Sequence, residues 1–256
     1  MGNPLRSLAR RLLGVRRTPV YFLPWLARPG LECVLLINNI EARFKTGYNQ
    51  GPFPVVVIQY DASGAPARRY EVQLANSTDS VELRLEPTAA GYGFVTVYGE
   101  RIHSDLYVTL SDGEMYTATH GRGEFVETYP SWVRALAAAL GGALALAGRT
   151  IPAFVRDQYV YAGAGSRSHL LVMNLSNVTN RIRVFASQDG APASARILAV
   201  KPMGAHLLDV ASLGLPSRER TAVWRLRLEG NAWFNLYLVG AGPRDLAGPL
   251  SLMHVK

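Results

Sequence analysis

A short stretch occurs twice in this chain of 256 residues, as Gly64-Ala65-Pro66 and as Gly190-Ala191-Pro192. Each copy lies in a turn between two runs of strand character. Val55-Val56-Val57-Ile58-Gln59-Tyr60 and Tyr70-Glu71-Val72-Gln73-Leu74 flank the first. Ile182-Arg183-Val184-Phe185 and Ala195-Arg196-Ile197-Leu198-Ala199-Val200 flank the second. Further landmarks repeat in the same order. Leu35-Leu36-Ile37-Asn38 answers Leu171-Val172-Met173-Asn174, Asp105-Leu106-Tyr107-Val108 answers Asn235-Leu236-Tyr237-Leu238, and Thr119-His120-Gly121-Arg122 answers Met253-His254-Val255-Lys256. Ordered self-similarity of this kind marks a tandem duplication.

The duplication sets the expected architecture. Two units of about a hundred residues are each large enough to bury a core. Alternating apolar and polar residues with turn signals at short intervals point to β-structure. The expected fold class is all-β: two tandem antiparallel β-sandwich domains joined by a central helix, with an N-terminal amphipathic helix. The boundaries read as a basic segment over 1–17, a first sandwich over 18–129, a linker helix over 130–150 and a second sandwich over 151–256. Residues 31–37 read as the first apolar strand.

Charge is distributed unevenly. The chain carries a formal +8, and residues 1–31 hold six arginines and no acid, so that segment supplies +6 of it. The high isoelectric point is therefore a property of the N-terminus, and no nucleic-acid partner is implied for the folded domains. Leu5, Leu8, Ala9, Leu12 and Leu13 recur at helical spacing, with Arg6, Arg10, Arg11, Arg16 and Arg17 as the candidate docking charges for a membrane surface or an acidic partner. Met1-Gly2 suggests myristoylation, but Arg6 stands where the pattern wants Ser or Thr. Val20 to Ala27 is too short, and too broken by Pro24, for a signal peptide. The implied location is cytoplasmic, with peripheral contact on the inner membrane surface as an open alternative.

The helix at 132–148 has Val133, Leu136, Leu140 and Leu144 as an apparent stripe, and Gly141-Gly142 weakens it as a free-standing element. Only 14 uncharged residues separate Arg134 from Arg149, a length of about 21 Å, short of the ~30 Å hydrocarbon core. It reads as a linker docked on the domains, with membrane association or dimerisation as the alternative.

Residues 105–120 form the clearest hairpin, with Asp112-Gly113 as a two-residue tip. That tip sets Leu110 opposite Met115, Val108 opposite Thr117 and Asp105 opposite His120. Leu106, Val108, Leu110 and Met115 then face the core. Asp105, Tyr107, Thr109, Tyr116 and His120 share the other face, with His103 nearby. A face of tyrosines, an acid and a histidine suits recognition of a carbohydrate or a protein partner, since rings stack while polar groups accept and donate hydrogen bonds. The first copy also carries about ten extra residues between Asn38 and Gly64, relative to Asn174 and Gly190, and Tyr48, Asn49 and Gln50 of that loop are further candidates. In the second copy the equivalent face carries Trp233, Asn235, Tyr237, Leu252 and His254, and its apolar character suggests a buried contact.

Little else in the sequence points to catalysis. No phosphate-binding glycine loop, dinucleotide fingerprint or Gly-x-Ser-x-Gly elbow is present. The single cysteine, Cys33, precedes an apolar run and reads as a buried thiol; it can form neither an internal disulfide nor a paired-cysteine zinc site. Asn76, Asn174 and Asn177 open glycosylation triplets that read as chance. One enzymatic reading stays open: His103, Asp105 and His120 as metal ligands, or one histidine as a base oriented by Asp105. The leading reading is non-catalytic, with no cofactor and no metal, and with homo-oligomerisation open.

The order of elements, an apolar strand ending in Asn, a strand, a Gly-Pro turn, two more strands and a hairpin, resembles the small β-sandwich of the sensory-rhodopsin transducer family. Cys33-Val34-Leu35-Leu36-Ile37-Asn38 through His120 carries the likeness in one half, and Leu170-Leu171-Val172-Met173-Asn174 through His254 in the other. The resemblance implies a non-enzymatic, oligomeric adaptor or ligand-binding module and brings no catalytic residues with it. The tandem copy, the basic N-terminal helix and the central Ala/Leu helix are departures from that family.

Overall fold

The computed structural model describes residues 8, 10–38, 52–76, 79–99, 102, 106–162, 167–188, 191–214, 222–242 and 245–254. Strands dominate and form four antiparallel sheets. In the first half, β1 (Arg16–Leu26), β3 (Phe53–Asp61), β4 (Pro66–Leu74), β6 (Tyr92–Tyr98) and β9 (Arg122–Thr128) make sheet I in the order β4-β3-β6-β1-β9. There β2 (Glu32–Asn38), β5 (Ser80–Arg84), β7 (Tyr107–Ser111) and β8 (Tyr116–His120) make sheet II in the order β5-β2-β7-β8. Helix α1 (Ser131–Leu146) follows. In the second half, β10 (Phe154–Ala162), β15 (Ala222–Gly230), β12 (Asn180–Gln188) and β13 (Ala191–Val200) make sheet III in that spatial order. Sheet IV is β14 (Ala205–Asp209), β11 (Arg167–Asn174), β16 (Phe234–Gly242) and β17 (Asp245–His254), again in spatial order.

Mapping β1–β8 onto β10–β17 converts the strand order of sheets I and II into that of sheets III and IV, with β9 as an addition at the edge. Both β3–β4 and β12–β13 carry a register shift at the same place, between Gln59 and Tyr60 in one and between Ala186 and Ser187 in the other. Pairing corrects one sequence correspondence. Leu35 sits opposite Val108, and Leu170 sits opposite Leu238. Leu35 therefore answers Leu170, not Leu171, and Asn38 answers Met173. A slip of one residue reverses every side chain, and burial agrees with the corrected alignment, since Leu35 and Leu170 both point into their own sandwiches.

The first strand is β1, ahead of the 31–37 run that the sequence suggested. Pro19 and Pro24 disguise it. The structure tolerates both prolines because β9 pairs only with Arg16–Phe22 and β6 only with Tyr21–Leu26. Pro19 and Pro24 thus each lie where β1 has a neighbour on one side alone, and proline is accepted on an open strand edge.

Sheet I presents Val55, Val57 and Gln59 to sheet II, where the Gln59 amide donates to the Glu86 carbonyl at 2.7 Å. Its opposite face, with Phe22 and Phe94, meets sheet IV, and Phe22 packs edge-on against Tyr237 at 6.1 Å. Leu171, Met173, Tyr237, Val239 and Leu252 of sheet IV join that core. From the other side of sheet IV, Leu170, Val172, Leu236 and Leu238 join Ile182, Val184, Leu226 and Leu228 of sheet III. Four layers result, in the order II, I, IV, III. Sheet IV is buried on both faces, which is why β11 reads as a continuous apolar run and not as an alternation.

Main-chain bonds cross the junction between the halves. Glu127 N–H donates to Leu175 O at 2.9 Å, Asn177 N–H to Glu127 O at 3.2 Å and Ala205 N–H to Ala62 O at 3.1 Å. Gly64 takes φ +85°, and a Cβ there would lie 2.0 Å from Pro202 O. The repeated glycine of the first copy is therefore fixed both by its turn and by the second half pressed against it.

Helix α1 also differs from expectation. Val133 and Gly141 are buried and Leu144 is half-buried, whereas Leu136 and Leu140 are exposed, so only the two ends of the expected stripe face the protein. The two glycines explain the orientation. A Cβ on Gly141 would sit 3.4 Å from the Arg181 guanidinium, so the helix turns its smallest residues toward β12.

Candidate functional site

The outer face of sheet II is the layer's free surface. Pairing sets Tyr107 opposite His120, Val108 opposite Thr119, Leu110 opposite Thr117 and Ser111 opposite Tyr116. The hairpin register is therefore two residues away from the sequence expectation. The loop is Asp112 to Met115 and not a two-residue tip: Asp112 N–H donates to Met115 O at 3.3 Å, and Asp112 Oδ1 accepts from the N–H groups of Met115 at 2.9 Å and Glu114 at 3.2 Å. Asp112, an Asx-type turn former, takes over both ends of the loop. A shift of two residues preserves faces, so Tyr107, Thr109, Tyr116 and His120 do share the outward side.

Tyr107 is 41% exposed and Tyr116 71% exposed, while His120 is half-buried. Four residue steps separate the two rings along the hairpin, a distance of about 14 Å. Val34 and Leu36 of β2 lie between β7 and the Glu82/Arg84 edge, where Arg84 pairs with Glu32. The surface is mixed and aromatic. Its hairpin is anchored to the second half. Arg28 bonds Asp112 Oδ2 at 2.6 Å and also the carbonyls of Leu246 and Gly248. Hydrogen bonds from Met115 N–H, with Glu114 N–H and Arg28, hold the Asp112 carboxyl below its ordinary value. His103, Asp105, Tyr48, Asn49, Gln50 and Arg6 lie outside the described residues, and with them two of the three members of the His103–Asp105–His120 cluster. Among the described residues no group of three or more His, Cys, Asp or Glu is placed to hold a metal.

The topological equivalence adds a fact about this face that the sequence motifs only hinted at. Tyr237 pairs with His254 as Tyr107 pairs with His120. Tyr237 is fully buried against Phe22, and its hydroxyl donates to His120 O at 2.9 Å. The same face is thus a sheet-packing surface in one copy and an open surface in the other.

The arginines assigned to docking divide into two groups. Arg10 Nε reaches Glu127 Oε1 at 2.9 Å and Arg17 Nε reaches it at 3.7 Å, and Arg17 also stacks over Phe125 at 3.9 Å. The Tyr129 hydroxyl donates to Glu127 Oε2 at 2.7 Å, and burial together with the Glu127 charge pushes that hydroxyl's pKa up. Glu127 is completely buried. Arg10 and Arg17 therefore neutralise an internal carboxylate at the junction, although Arg17 is exposed at the surface, as Arg11 and Arg16 are. Nothing in the one-dimensional pattern marked Glu127 as the partner, because the contact spans more than a hundred residues.

Cys33 is buried, and burial pushes its thiol up to about 12, which removes it as a nucleophile at neutral pH. Asn174 is also buried. Its amide donates to the carbonyls of Val178, Val200 and Lys201, so its glycosylation triplet is inaccessible. A cleft of about 710 Å³, invisible to sequence reading, opens between β1, the end of β6 and β9, where Tyr21, Tyr98, Ile102 and Phe125 line it.

The chain matches no protein-family model and no curated protein. A similar solved structure is the crystal structure of Thermotoga maritima 1070, at 20% identity and a TM-score of 0.33, covering 40% of this chain and 92% of that one. So weak a likeness carries no argument about function.

Proposed function

We propose that this protein is a non-catalytic adaptor that binds a protein partner through the outer face of sheet II, with Tyr107 as the central contact, His120 beside it, Tyr116 farther along the hairpin, and Asp105 and the Tyr48–Asn49 loop as further candidates. One observation carries the reading. The equivalent face of the second copy, centred on Tyr237, is occupied by another β-sheet, with an aromatic ring against the tyrosine and its hydroxyl hydrogen-bonded. That contact is a working example of what such a surface accepts, and an exposed tyrosine with a polar rim is the composition of a separable interface. Carbohydrate stacking on the two exposed rings is the second reading, and it rests on their exposure alone. The reading places the protein in the cytoplasm.

A photo-crosslinking residue substituted at Tyr107, with the same residue at Tyr159 on sheet III as control, tests the proposal in cells. The expected result is a discrete protein adduct from position 107 and none from 159. Absence of an adduct at 107, equal adducts at both positions, or glycan-array binding that disappears in Tyr107→Ala would overturn it.

A further inference from the structure

We propose that the outward face of α1 is a docking surface for an anionic membrane, with the helix lying in the plane of the lipid headgroups. This inference is independent of the sheet II reading. Along α1, Trp132 is 56% exposed, Leu136 49%, Leu140 49% and Leu146 93%, with Ala135, Ala139 and Ala143 exposed between them. A helix in a water-soluble protein normally turns such a face inward. Here the inward side is the small one, built on Gly141 against Arg181.

Two further observations identify the occupant. The first is charge. From residue 128 to residue 156 the chain has no Asp or Glu, and the exposed Arg134 and Arg149 stand near the two ends of the apolar stretch. An acid-free segment with cations at its ends, an apolar face and a tryptophan is the composition of an interfacial helix on anionic lipid. The second is the neighbouring segment. The helical turn at Arg10–Leu12 ends at Gly14, where a Cβ would lie 3.4 Å from Pro130, the residue that precedes α1. Leu12 of that turn is exposed, and so are Arg11 and, ahead of the turn, Leu8. A second apolar element with its own cation thus adjoins the start of α1. None of the helices in the described residues is long and apolar enough to cross a membrane, so the geometry points to binding in the surface plane.

The test uses the full-length protein in sedimentation with phosphatidylcholine vesicles, with and without about 30% phosphatidylserine. Binding should require the anionic lipid and weaken with salt. The triple variant Trp132→Ser/Leu136→Ser/Leu140→Ser should lose about tenfold or more of the affinity. All three side chains point to solvent, so its melting temperature should match the wild type. A second readout needs no variant. Trp25 and Trp224 are buried and Trp233 is partly buried, so brominated lipid should quench mainly Trp132. Wild-type protein that ignores anionic vesicles, a triple variant that binds as the wild type does, or absence of quenching overturns the proposal. So does a wild-type dimer that the triple variant makes monomeric, since the face would then belong to a second copy of the chain.

Discussion

Replacing Glu127 by Ala should be among the most damaging single changes at the junction. The carboxylate is wholly buried, accepts a 2.7 Å hydrogen bond from Tyr129 and faces Arg10 at 2.9 Å and Arg17 at 3.7 Å. Removing one partner of a buried ion pair costs about 3–5 kcal/mol, and a hydrogen bond to a charged group is worth about 1.5–3 kcal/mol. These figures overlap and do not add. The two arginine side chains remain 21% and 34% accessible, so both can turn toward water and recover part of the loss. An estimate of about 3 kcal/mol follows. At about 2–4 °C per kcal/mol for a chain of this size, the melting temperature should fall by about 6–12 °C. Far-ultraviolet circular dichroism during heating measures it. Glu127→Gln keeps the size and an acceptor for Tyr129 and should lose about half as much. In a double-mutant cycle, Arg10→Ala should cost little more once Glu127 is gone. A fall of less than about 2 °C in Glu127→Ala would show that the arginines are solvated spectators and would refute the reasoning.

Gly64 and Gly113 both take positive φ, +85° and +91°, but a Cβ meets Pro202 O at 2.0 Å at the first and nothing within 4 Å at the second. Gly113→Ala should therefore cost only the backbone preference, about 1–2 kcal/mol, and Gly64→Ala about twice that or more, because main-chain atoms of the opposing half must move; equal losses in chemical denaturation would refute the account. Asp112 has its folded-state pKa depressed below 3.8, first by Met115 N–H. Its contribution is thus present above the unfolded value and disappears as the pH falls through the folded one. Wild type should exceed Asp112→Asn in melting temperature at about pH 6, and the difference should shrink below about pH 4; a gap that grows on acidification would reverse the assignment.

The sequence was most informative where its signals are local. Pro66 and Pro192 of the turn motif and the Leu-Tyr pairs at 106–107 and 236–237 fall at equivalent places in the two halves, and the alternation in β3, β12 and β15 matches their burial. What it hid depends on long-range contacts. β1 was obscured by Pro19 and Pro24, whose acceptability depends on where β6 and β9 stop pairing. The hairpin register was missed because Asp112 caps its own loop with its side chain, an option that competes with the two-residue turn. Of the α1 stripe, Val133 and Leu144 turn inward as the periodicity suggests, whereas Leu136 and Leu140 stay exposed because the Gly141 side, against Arg181, faces β12. At the candidate site, the outward company of Tyr107, Tyr116 and His120 was legible from strand parity, whereas the internal use of Arg10 and Arg17 was not. Their partner, Glu127, belongs to an edge strand, β9, that has no counterpart among the described residues of the second copy.

The junction joins unlike faces, sheet I of one copy to sheet IV of the next, and such a head-to-tail contact has no symmetry that closes it. Repeated without change, it would polymerise the chain into a fibre, each molecule's sheet III receiving the next molecule's sheet II. Both terminal faces carry features that blunt this growth. On sheet III, the surface equivalent to the apolar one around Phe22 bears Asp157 paired with Arg225 at 2.9 Å and Arg227 paired with Glu229 at 2.8 Å. On sheet II, Thr109 and Ser111 stand where sheet IV has Val239 and Ala241. Charged and polar side chains on the two terminal faces thus oppose the addition of a further unit, although they contribute nothing to either core.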